Sequence, residues 1–144
     1  MRQLCPFCLS PKKERKKEMK EKLGNELYDI KRIATFGLMN LSQHARTRMT
    51  DRHIDIIELY DMITNSSTYI CQHKKTGEYN NKYPRFVLWC KKNKRVIHVV
   101  IEKKSKIDYT IITVYEPSEA IFKDNGRYLK KRAVRDRTKL ALHS

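Results

Sequence analysis

Apolar residues in this chain recur at helical spacing over the first half and at every second position over much of the rest. In ELYDIKRIATFGLMNL they fall at 27, 30, 33, 34 and 38, which predicts a helix. Residues 42 to 52 read as a second helix followed by a turn. Asp55 with Glu58 fits a capping box that opens a third, whose Ile56, Ile57, Leu59, Tyr60 and Ile63 form a core face. Asn65, Ser66 and Ser67 end it. From Thr68 the period shortens to two. Strands are expected over 68–72, 85–91, 95–103 and 109–115, and Pro117 stops the last. Lys92-Asn93-Lys94 suits a hairpin, and short loops between neighbouring strands imply an antiparallel meander. The expected fold is α+β: N-terminal helices packed on one face of a roughly four-stranded antiparallel meander sheet, with basic terminal extensions.

Strand alternation sorts the sheet residues by face. Ile97, Val99 and Ile101 share one face of their strand, while Val96, His98, Val100 and Glu102 share the other. On the last strand Thr110, Ile112 and Val114 oppose Tyr109, Ile111, Thr113 and Tyr115. The Ile97 and Ile112 faces are expected to meet the helices. The second face then carries His98, Thr113 and Tyr115, each able to hydrogen-bond.

Composition divides the chain. With 144 residues and 40% apolar content there is material for one modest core. Residues 26–118 are expected to form that domain. Residues 1–25 read as a basic arm, with seven cations and three acids between Lys12 and Lys22, and Gly24 and Asn25 punctuate its end. Residues 119–144 read as a basic tail or helix. Lys and Arg total 32 against 16 Asp and Glu, for a net charge of +16. That excess implies a polyanionic partner, RNA above all. Lys12, Lys13, Arg15, Lys16 and Lys17 in the arm, and Lys130, Lys131, Arg132 and Arg135 in the tail, are the expected backbone contacts. No apolar run approaches a membrane span and no signal peptide opens the chain, so a cytoplasmic location with reduced cysteines is expected. Cys5-Pro-Phe-Cys8 is half of a zinc knuckle, and a structural zinc there would need further ligands from elsewhere.

The segment LSQHARTRMTDRHIDIIELYDMI concentrates the candidate chemistry. His44, Arg48 and Arg52 recur four residues apart, which on a continuous helix stacks them on one face. Stacked cations repel, so such a stripe makes most sense beside an anion such as phosphate. The alternatives are a solvated charged face, or pairing of the arginines with Asp51, Asp55 or Glu58.

His44-Ala45, Arg48-Met49, Arg52, Ile54, the strand around His98-Val99-Val100 and the closing Thr113-Val114-Tyr115-Glu116-Pro117 together carry a resemblance. Over roughly residues 40 to 118 the chain is similar to a small bacterial domain family of unassigned function. That family is grouped with the barnase–EndoU–colicin–RelE superfamily of metal-independent ribonucleases and toxins. One departure is His53, where the family usually has a small residue such as Gly. The resemblance implies RNA cleavage by 2′-OH attack with no required cofactor. His44 would move the proton, Arg48 and Arg52 would face the phosphate, Thr113 would hydrogen-bond it, and Tyr115 would position the substrate or donate a proton. A toxin of this kind would also meet an acidic antitoxin or inhibitor protein. The competing expectation is a non-catalytic nucleic-acid-binding module that grips the backbone with its basic tails.

Overall fold

The computed structural model of the protein describes residues 12–76 and 82–129. Helix α1 spans Lys12–Thr35, followed by a short strand β1 (Asn40–Leu41) and two nine-residue helices, α2 (Gln43–Asp51) and α3 (Ile56–Thr64). The strands β2 (Tyr69–Lys74), β3 (Arg85–Lys92), β4 (Arg95–Lys103) and β5 (Tyr109–Tyr115) come next. A small hairpin, β6 (Phe122–Lys123) and β7 (Tyr128–Leu129), follows. The main sheet has the order β1-β5-β4-β3-β2. All its pairings are antiparallel except β1 on β5, which is parallel. The fold is therefore α+β, with three helices packed on a mostly antiparallel sheet.

The helices bury the stripe that periodicity marks. Ile30, Ile33 and Ala34 of α1 join Ala45 and Met49 of α2 and Leu59, Met62 and Ile63 of α3. Leu38, expected inward, is exposed, and Met39 is buried in its place. Gly24 does not end a segment: α1 runs through it. A glycine costs a helix about 1 kcal/mol, and Leu23, Leu27 and Ile30 packed on the core offset that over the same turns.

From the sheet, Phe86, Leu88 and Cys90 pair across to Ile101, Val99 and Ile97, and all six face the helices. The strand β5 departs from simple alternation. A register shift between Val100 and Ile101 leaves Ile112 without a ladder partner. The core therefore receives Val114 from the expected face, but Tyr109 and Ile111 in place of Thr110 and Ile112. Strand periodicity has no means of announcing a bulge.

Residues 122–129 were expected to continue a basic tail or helix. They form a hairpin instead, with Asp124, Asn125 and Gly126 at φ of 52, 54 and 83°. Asp-Asn-Gly favours such left-handed positions. Gly126 admits no side chain, since a Cβ there would lie 2.5 Å from the Pro117 ring. Cys5, Cys8, Lys130, Lys131, Arg132 and Arg135 lie outside the described residues. Lys12, Lys13, Arg15, Lys16 and Lys17 fall on the first turns of α1.

Candidate functional site

Helix α2 is anchored to β5 at its first residue. The Ser42 hydroxyl accepts from the Ala45 N–H at 3.0 Å and donates to the Ile112 carbonyl at 2.8 Å, while the Ser42 N–H donates to Ile111 O at 3.0 Å. Ala45 and Met49 then enter the core. His44 and Arg48 stand one position before each, about 100° round the helix, and are exposed. The spacing thus puts this pair side by side at the surface.

Arg52 differs from expectation. The helix ends at Asp51, and Arg52 is its C-cap at φ −102° and ψ 7°, its N–H bonded back to Arg48 O and Met49 O. The side chain is half-buried. Its Nε is enclosed with no hydrogen-bond partner among the described residues. His53 follows at φ +56°, a left-handed position. A small residue such as Gly is at ease there, and a histidine is strained.

Among the described residues no ion pair joins Arg48 or Arg52 to Asp51, Asp55 or Glu58. Asp55 is the N-cap of α3, its carboxylate accepting the Glu58 N–H at 2.8 Å. Glu58 forms its ion pair with Lys92, whose ammonium also donates to His53 O at 2.9 Å. These two carboxylates therefore leave Arg48 as an exposed, hydrated cation, and the enclosed Nε of Arg52 as a donor that an anion could satisfy.

The strand hydroxyls belong to another grouping. His98 and Val100 of β4 pair with Tyr115 and Thr113 of β5 on the sheet face away from the helices. His98 is fully buried beneath the β6–β7 hairpin. Its Nε2 lies 2.7 Å from the Gly126 carbonyl and its Nδ1 3.2 Å from the Tyr115 hydroxyl. A carbonyl only accepts, so Nε2 bears a proton and donates to Gly126 O; in the neutral ring Nδ1 then accepts from the Tyr115 hydroxyl. Phe122 and Tyr115 meet the imidazole edge-on, and Cys71 Sγ stands 3.8 Å from Nε2. The hairpin is held a second time at Trp89, whose indole N–H donates to Asn125 O at 3.0 Å. The Arg127 guanidinium sits 4.6 Å from the Trp89 ring centre. The Tyr115 hydroxyl is thus engaged by the buried His98, while His44 and Arg48 stand exposed on α2, the helix that packs on the same strand.

The Trp89–Arg127 and His98–Gly126 contacts were missed at the level of sequence. The available signal was Asp-Asn-Gly between the apolar residues Phe122 and Tyr128, a hairpin pattern inside a basic stretch. His73 lies in β2 one residue past the expected strand 68–72, with its ring stacked on Phe86 at 4.7 Å. Cys71 of β2 and the buried Cys90 of β3 stand as thiols outside any disulfide. Burial pushes the Cys90 thiol up to about 12, with the Thr68 hydrogen bond a smaller opposing influence. No group of three or more metal-ligating side chains occurs among the described residues. No helix of the described residues is long and apolar enough to cross a membrane.

Fold and surface together define a small basic α+β domain with a capped, cation-bearing helix laid along its last central strand. The chain belongs to the family described as a domain of unknown function, DUF4258, whose pattern matches residues 41–116. The match begins at β1 and ends just past β5, so it covers α2, α3 and the sheet but neither α1 nor the closing hairpin. No curated protein and no solved structure matches the chain.

Proposed function

We propose that this protein cleaves RNA without a metal, in the manner of the ribonuclease and toxin superfamily that its motif resembles. In this reading His44 moves the proton at the 2′-OH or the departing 5′ oxygen. Arg48 and Arg52 face the phosphate whose charge grows in the transition state. The observation that carries it is the uncompensated cation set on α2. His44 and Arg48 are exposed side by side, Arg52 follows with an orphaned Nε, and the acids at 55 and 58 are committed elsewhere. A net charge of +16 supplies the attraction that brings a polyanion to that face.

The test is incubation of purified protein with RNA in excess chelator, with analysis of the product ends. Cyclic-phosphate ends from the parent, lost in His44→Ala and Arg48→Ala, are the expected result. If both variants cut as well as the parent, this site is wrong.

A second reading is non-catalytic grip of the nucleic-acid backbone. The observation favouring it is that Tyr115, expected to serve the reaction, turns its hydroxyl to the buried His98. It predicts salt-sensitive binding with no cleavage product. In the catalytic reading Thr113 and Tyr115, on the strand against which α2 packs, serve the phosphate and the substrate, and an acidic antitoxin is the proposed protein partner.

A further inference from the structure

At one end of the sheet α1, the end of β2 with Lys75 and Thr76, Tyr83 and Pro84 ahead of β3, and the β4–β5 loop line a cleft of about 570 Å³. Among the described residues, Lys22, Lys103, Lys104 and Lys106 line it with Lys75 beside them, and Glu26 is the carboxylate in the lining. That carboxylate is taken up by Lys103, whose ammonium bonds both its oxygens at 2.9 and 3.0 Å. The nearby acid Asp108 turns its side chain away from the cleft, to accept from the Asn40 amide at 3.1 Å. The turn that presents Lys104 and Lys106 is built. Ser105 Oγ accepts from the N–H groups of Ile107 and Asp108, and Lys104 N–H donates to Asp108 O at 2.8 Å. Like charges crowded around a concavity repel at a cost that a bound anion removes.

The lining is not cationic alone. His73 stacks on Phe86 nearly parallel, with 5° between the rings, and Tyr83 and Pro84 add to the same apolar wall. Ammonium groups beside flat rings suit a ligand that joins phosphates to stacking bases. A bare inorganic anion would use only the lysines, and a headgroup at a lipid surface would not need the rings.

We propose that this cleft is a binding site for single-stranded RNA, in which Lys104, Lys106 and Lys22 hold phosphates and the His73–Tyr83 wall packs against a base. The cleft lies outside residues 42–52, so it serves as a subsite for the flank of an RNA substrate. As an RNA subsite it rests on the cleavage reading, yet it is separately testable.

The probe is a fluorescein-labelled 2′-O-methyl oligoribonucleotide, which binds as RNA does and lacks the 2′-OH that cleavage needs. Binding to the full chain is followed by anisotropy across a salt series, beside cleavage of the unmodified RNA. The double variant Lys104→Glu/Lys106→Glu is compared with Lys91→Glu/Lys94→Glu, an equal charge change at the exposed far hairpin, after thermal melts show both folded. The cleft variant is expected to bind at least about tenfold more weakly, with a salt slope shallower by about 1.4. Tyr83→Ala is expected to weaken binding severalfold at unchanged slope. Equal losses in the two charge variants, or parental affinity in the cleft variant, overturn the subsite. A parent that cuts RNA while the cleft variant binds as tightly as it does removes the subsite and leaves the cleavage reading standing. A parent that binds through the cleft and cuts nothing does the reverse. No binding of the probe by the parent overturns the subsite directly.

Discussion

A few side chains carry disproportionate weight at the residue scale. His44 and Arg48 are exposed, so truncating them removes no packing. His44→Ala and Arg48→Ala are each expected to leave the melting temperature within about 1 °C of the parent and to slow metal-free RNA cleavage about a hundredfold. Melts and single-turnover cleavage check both halves. His53 offers the opposite case, a strained backbone with no proposed chemistry. At φ +56° it pays for its side chain, and His53→Gly is expected to raise stability by about 1 kcal/mol in urea unfolding. A loss of stability would mean that its side chain packs more than its backbone strains. Cys90 gives a pH signature. Its thiol ionises near 12 in the fold and near 9.0 when exposed, so above 9.0 the unfolded chain releases a proton that the folded chain keeps. This contribution to stability is whole below pH 9.0 and fades as pH climbs towards 12. Burial also pushes the Tyr109 phenol up, and that acts in the same direction. Cys90→Ala is therefore expected to flatten the alkaline fall in stability, and native Cys90 to resist iodoacetamide at about pH 8 until the protein unfolds.

The β6–β7 hairpin is the least anticipated part at the element scale. It covers the second sheet face through two well-defined bonds, Trp89 to Asn125 and His98 to Gly126. A Cβ at Gly126 would collide with Pro117 and sit on a left-handed backbone, so Gly126→Ala is expected to lift the hairpin without unfolding the domain. Trp89 is the sole tryptophan, and its emission is expected to shift to the red and become open to iodide quenching. An unchanged spectrum would show that the hairpin tolerates the methyl by moving Pro117. Helix α2 behaves as its cap dictates. Ser42 bonds two carbonyl or amide groups of its own helix and β5, and this single residue aims the whole cation-bearing face. The α2–α3 boundary was legible because Asp55 and Glu58 are chemically specific as a cap. The end of α2 was less so. Nothing in Arg-His-Ile says that Arg52 closes the helix and folds inward.

Charge dominates at the scale of the whole molecule. An excess of +16 on 144 residues favours any polyanion, so affinity alone does not distinguish RNA from DNA. Cleavage does. DNA of the same sequence has no 2′-OH to attack, so it is expected to bind at low salt and to remain intact where RNA is cut. Gel analysis of matched strands measures this, and cutting of the DNA would end the proposed mechanism.

Local chemistry determined the elements of this protein in advance. Periods of 3.6 and two, a capping pair and a hairpin-length loop are written in neighbouring residues, and each acts over a few positions. They were enough for the start of α2, for α3, for the four long strands and for the α+β class, but not for the length of α1 or the end of α2. Tertiary structure decided what neighbours cannot encode. The bulge at Ile112 chose which residues of β5 enter the core, the hairpin buried His98, and strand pairing took Tyr115 to that histidine. It also gathered lysines from positions 22, 75, 104 and 106 into one cleft. Each of these depends on contacts between segments far apart in sequence, whose geometry exists only once the chain has closed on itself.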